Sequence, residues 1–206
     1  MDFNWHFKGG EDDAHHVLRQ VCQVMGVDAN RLHLVFYSEP GQIEFSEGLI
    51  SQQGHYLSTA GKYVEFENGL IEIMIEEKQL KNPTSLIATI AHELMHVRLL
   101  GDRMIEENDE YLTDLGALVY GFGVFVANAA VVKMNTWSGI SHTGWQVSGG
   151  AGYLHYKVQA FALALLANYK GEQEPEWIDF LEEDVKKTYR QSRKYIEVNF
   201  ESIRFK

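Results

Sequence analysis

His92-Glu93-Leu94-Met95-His96 sets two imidazoles four residues apart, with a carboxylate directly after the first. On an α-helix, residues four apart lie about 40° apart around the axis, so both rings can reach one metal ion while Glu93 stands beside its open coordination position. The chemistry this pattern allows is metal-assisted hydrolysis, with the ion making water nucleophilic and the carboxylate carrying its proton. With 9 His in 206 residues, chance alone would produce the five-residue pattern with a probability of about 0.04, so a third ligand is needed to give it weight.

Candidates stand downstream at Glu106, Glu107, Glu110 and Asp114. If the chain turns at 101–104 and returns antiparallel as a helix from Ile105, His96 lies about 7.5 Å before the end of the first helix and Glu110 about as far along the second. Asp114 then comes level with His92, about 6 Å below, where a carboxylate orients that imidazole through its second nitrogen. On this reading His92, His96 and Glu110 hold one zinc ion per chain and leave a fourth position for water. Asp114, Glu106 and Glu107 remain alternative third ligands.

H-E-x-x-H followed by Glu110-Tyr111-Leu112-Thr113-Asp114, with Asn108-Asp109 before it, resembles the thermolysin-type zinc peptidases, the gluzincin group, over about residues 83–115. The resemblance implies His92, His96 and Glu110 as zinc ligands, Glu93 as general base, Asp114 as partner of the first histidine, and peptide-bond hydrolysis as the activity. A peptide or protein is then the substrate. A tetrahedral intermediate also calls for a hydrogen-bond donor beside the metal, and Tyr153, His155, Tyr156 and His142 are the later residues of suitable type. The rival from another class is a non-catalytic zinc-binding or scaffold protein with a structural or vestigial site. A hydrolase of some other amide is a third reading.

The elements that position these residues follow from periodicity. Asn82-Pro83-Thr84 starts a helix over about 83–100, with a capping side chain, Pro where no N–H is needed, and Gly101 as its stop. Leu86, Ile87, Ile90, Ala91, Leu94 and Val97 form one face, and Ser85, Ala88, Thr89, His92 and His96 the roughly opposite one. Upstream, Val17, Leu18, Val21, Val24 and Met25 predict a helix over 12–25, which makes Cys22 a core residue, and Leu32–Tyr37 predicts a strand. Runs at 62–66 and 70–75 flank Asn68-Gly69, a tight-hairpin dipeptide. The later of these runs is the candidate edge for aligning an extended peptide. Beyond Ile105 the chain reads as helical, with a Gly-rich loop over 136–152 and helices near 153–169 and 175–198. The expected architecture is α+β and zincin-like: a single domain over 1–206, with a helix and a small, mostly antiparallel sheet in 1–80 and a helical, metal-bearing half in 81–206.

Composition is that of a soluble domain, 45% hydrophobic and 23% charged with only 3 Pro. A net charge of -11 repels phosphate backbones and anionic lipid, which argues against nucleic acid and membrane partners. The uncharged run 115–132 reaches the lower edge of membrane-spanning length, but Asn128, its glycines and the lack of flanking cations make it a buried core helix. One cysteine and an N-terminus without a basic-then-apolar pattern point to the cytoplasm.

Overall fold

The computed structural model describes residues 6–38, 61–66, 69–131 and 152–203. The architecture is α+β, with a small sheet and a majority of helix. Its contacts fall into two compact units, Met1–Thr113 and Asp114–Lys206.

The first unit is built on α1 (Glu11–Met25), β1 (Leu32–Tyr37), β2 (Gly61–Glu65), β3 (Ile71–Glu76) and α2 (Pro83–His96). The apolar stripe of α1 is buried from Ala14 to Met25 and includes Cys22, whose thiol is pushed up to about 12, first by burial and then by the charge of Asp28. It is an inert core thiol, as the helical pattern predicts. The sheet departs from expectation. Its order is β1-β3-β2, with β2 antiparallel to β3 but β1 parallel to it, Leu32 lying opposite Ile71 and Tyr37 opposite Glu76. It is therefore a mixed sheet. With β1 on one side and β2 on the other, β3 has both backbone edges paired, so the 70–75 run offers no edge to a peptide. The hairpin is present, closed by Gly69 N–H to the Phe66 carbonyl at 2.9 Å, while Asn68 lies outside the described residues.

Helix α2 starts where the capping signal puts it, with Asn82 Oδ1 accepting from the Ser85 N–H at 3.2 Å and Pro83 in its first turn. It packs against α1, β2 and β3. Both of its faces are covered: Leu86, Ile90, Ala91 and Leu94 are fully buried, and Ala88, Thr89 and His96 nearly so. The face that carries the histidines is thus largely interior as well.

In the second unit, α3 (Glu110–Ala117), whose first turn belongs to the first unit, leads through a wide turn at 118–122 into α4 (Gly123–Ala129). Gly121, at φ +100°, breaks the helical path there, a conformation that strains any residue with a Cβ. Among the described residues, Glu110–Ala129 is the one helical run long and apolar enough to cross a membrane. Near its end, Asn128 donates to the Phe180 carbonyl and accepts from the Glu182 N–H, both at 2.8 Å. Helices α5 (Tyr156–Tyr169) and α6 (Glu183–Ile203) pack along each other, burying Ala160, Leu163, Ala164, Val185, Tyr189 and Ile196. Both start later than the periodicity suggests, because His155 acts as a cap and 176–180 forms a separate 3-10 turn.

Candidate metal centre

The two histidines of α2 and the first residue of α3 meet at one point. His92 Nε2 lies 3.1 Å from His96 Nε2 and 3.1 Å from Glu110 Oε2, and His96 Nε2 lies 3.3 Å from the same oxygen. A tetrahedral ion with bonds of about 2.0–2.1 Å sets its ligands about 3.3–3.4 Å apart, so the triangle matches a zinc donor set to within a few tenths of an ångström. The chemistry of the donors agrees. Three lone-pair atoms converge, and a proton on one imidazole satisfies only part of the triangle, whereas a cation satisfies all of it. The side chains of His92, His96 and Glu110 are 12%, 9% and 27% exposed, Glu110 being the most open of the three.

The route from His96 to Glu110 differs from a simple helical hairpin. Past His96 the helix widens into a π-turn over Val97–Gly101, with Asp102 N–H reaching the Val97 carbonyl at 3.1 Å. Such turns insert a residue and rotate the chain beyond them. Gly101 lies inside this turn, and the left-handed residue that ends it is Arg103, at φ +55°. The chain then runs without regular structure until Asp109, whose Oδ1 accepts from the Leu112 N–H at 3.0 Å and whose carbonyl accepts from the Thr113 N–H. The returning helix therefore begins at Glu110 and not at Ile105. Glu110 reaches the histidines from a helix N-terminus, where the helix dipole favours its charge. Glu106 and Glu107 are exposed in the loop, outside the triad.

Burial works against the charge on Glu110, but hydrogen bonds from His92, His96 and Asn108 hold its carboxyl well below the usual carboxylate range. Asn108 Nδ2 donates to Oε1 at 2.8 Å, which leaves Oε2 aimed at the rings. Glu93 has the opposite character. It is 4% exposed and accepts no hydrogen bond among the described residues. Burial raises its pKa, the positive charge available to His92 and His96 opposes that rise, and Glu110 adds to it. Such a carboxyl holds its proton to higher pH than a solvated one does.

Asp114 is 2% exposed, one turn beyond Glu110 on α3. Its Oδ2 accepts the N–H groups of Tyr153 and Leu154, both at 2.7 Å. Gly152 permits this approach, at φ +101° with an added Cβ only 3.2 Å from Asp114 Oδ2. Tyr153 thus lends its backbone to a turn, and His155 Nδ1 accepts from the Lys157 N–H at 3.2 Å as the cap of α5, with its ring tilted against Tyr156. Local backbone roles account for the side chain of His155 and the main chain of Tyr153. His142 lies outside the described residues.

Two residues near the centre are given no role by the sequence alone. Asn108 stands in the motif, two residues before the candidate ligand Glu110, but its bond to that carboxylate is visible only in the structure. Tyr37 stands in no motif: its hydroxyl is pushed up to about 12 by burial, then by the charges of Glu76 and Glu93, so the end of β1 lies in the electrostatic field of Glu93. No protein-family model matches this chain, and neither curated proteins nor solved structures give a match.

Proposed function

We propose that this protein is a zinc-dependent metallopeptidase. One observation carries the reading: His92, His96 and Glu110 converge within 3.1–3.3 Å while Glu93, buried and placed between the histidines in sequence, is left without a hydrogen bond among the described residues. The α+β unit, with its sheet packed on the H-E-x-x-H helix, supports a zincin-like arrangement.

His92, His96 and Glu110 would hold the ion, which when bound supplies Lewis acidity and a water made nucleophilic near neutral pH. Glu93 accepts the proton of the attacking water and delivers it to the leaving amine. Asn108 fixes the Glu110 carboxylate so that one oxygen faces the rings. The low exposure of His92 and His96 strengthens each electrostatic contact they make. The single thiol is the buried Cys22, which suits the cytoplasmic setting we propose.

The test pairs metal analysis with hydrolysis. Protein prepared without chelators should carry about one zinc per chain. Glu93→Gln should keep that zinc and lose at least about 10²-fold in cleavage of a peptide library. Zinc in both proteins with cleavage in neither would leave the non-catalytic zinc protein as the better reading, and absence of zinc would refute the site.

A further inference from the structure

The second unit carries a buried charge that the proposed hydrolysis does not use. Arg193 of α6 is 9% exposed, its Nη1 is buried without a hydrogen-bond partner, and the guanidinium makes no ion pair among the described residues. One turn earlier on the same helix, Tyr189 is 2% exposed and its hydroxyl is likewise unpartnered. Residues four apart on a helix are neighbours, and the charge of Arg193 acts on that hydroxyl. The surroundings hold no counter-ion among the described residues. Helix α5, which packs along α6, has no Asp or Glu between 156 and 169. Its buried acceptor Gln159 Oε1 is itself unpartnered and so does not serve Arg193. On α6, Arg190 and Lys194 beside it are exposed cations, and Glu197, one turn further on, is exposed and not paired with it. Glu172, whose charge also reaches Tyr189, accepts from Trp177 Nε1 at 3.3 Å.

We infer that the second unit binds an oxyanion, a carboxylate or phosphate group, at Arg193, with the Tyr189 hydroxyl as a second donor. A guanidinium taken out of water without a counter-charge is among the costliest groups a fold can hold. Arginine does not shed that cost by losing its proton. Nor does this one carry its whole head into solvent, because Nη1 is enclosed. An oxyanion meets both needs, supplying negative charge and lone pairs matched to the planar fork of N–H donors. The ligands proposed for zinc, His92, His96 and Glu110, belong to the first unit, so the oxyanion site stands or falls independently of the peptidase reading.

Full-length protein would be melted in Tris chloride while chloride is replaced, at constant ionic strength, by inorganic phosphate or by acetate. The expected result is a Tm rise that saturates, reaching at least about 5 °C once the anion exceeds its Kd 100-fold. Saturation with both anions, or with one of them, supports the site and names the group it takes. Arg193→Met keeps the apolar stem and removes the charge, so it should lose the saturating rise and melt no lower than the unaltered protein in chloride. Tyr189→Phe should keep the rise and weaken binding by about 10-fold. Phosphate also stabilises proteins generally, by exclusion from their surface. A rise that does not saturate, or one equally large in Arg193→Met, would therefore overturn the site, as would no rise with either anion. Should Arg193→Met fail to fold, Tyr189→Phe decides, and an unchanged affinity in that variant would overturn the proposal.

Discussion

Replacing Glu110 by Gln keeps the shape of the proposed third ligand and removes its charge. Apparent zinc-binding free energies of about 10–16 kcal/mol are shared among the ligands, so one charged ligand accounts for about 3 kcal/mol or more, a loss of at least about 100-fold in affinity. In this site the loss has two sources. The Oε2 atom at 3.1 and 3.3 Å from the two imidazoles no longer carries charge, and Gln can turn its amide towards the histidines and present a donor where an acceptor is needed. Asn108→Ala is the internal comparison. It removes only the 2.8 Å bond to the far oxygen, a supporting contact whose loss costs about 10- to 100-fold. Competition with a chromophoric chelator at fixed pH reads both affinities. Zinc held by Glu110→Gln as tightly as by the unaltered protein would refute the donor triangle. A larger loss in Asn108→Ala than in Glu110→Gln would refute the assignment of which oxygen faces the metal.

Glu93 and Glu110 should oppose each other in the pH dependence of the metal-free protein. The pKa of Glu93 is raised from its ordinary value of 4.5 by burial, so the folded state holds the extra proton and stability falls as pH climbs above that value; Glu93→Gln should raise Tm near neutrality. The pKa of Glu110 is lowered, so its contribution is present above its unfolded value and lost as pH drops below it; thermal melts of Glu110→Gln should show a shallower acid limb. Arg103→Gly should stabilise the protein by about 1 kcal/mol in denaturant unfolding, because φ +55° strains any residue with a Cβ, and no gain would show that the Arg103 side chain compensates. Asp114→Ala strips the acceptor from two N–H groups at 2.7 Å and should cost about 3 kcal/mol. Unchanged stability in that variant would mean that water replaces the carboxylate.

The H-E-x-x-H helix, α1 and the three strands were legible from sequence because each rests on local periodicity and local stereochemistry: Asn82-Pro83 starts α2, and apolar spacing over 14–25 defines the buried stripe of α1. Glu110 was legible as a ligand type by its distance from His96, although the expected route was a helix from Ile105. The tertiary structure decided what depends on distant partners. Whether β1 runs parallel or antiparallel to β3 is set by the path between them, and no residue in either strand records it. Solvent access to each face of α2 depends on what packs there, and burial of Ala88, Thr89 and His96 together with Leu86 and Ile90 is a property of the fold and not of the helix. The widened turn after His96 and the left-handed Arg103 run against local preference, since Gly101 was the residue suited to end the helix. A chain holds that strain only where contacts further along offset it, here by bringing Asp109 to cap α3 and Glu110 to meet two histidines more than a dozen residues away. Residue identity thus named the candidate donors and helix periodicity set His92 beside His96, whereas only the non-local path through 97–109 brought Glu110 to them.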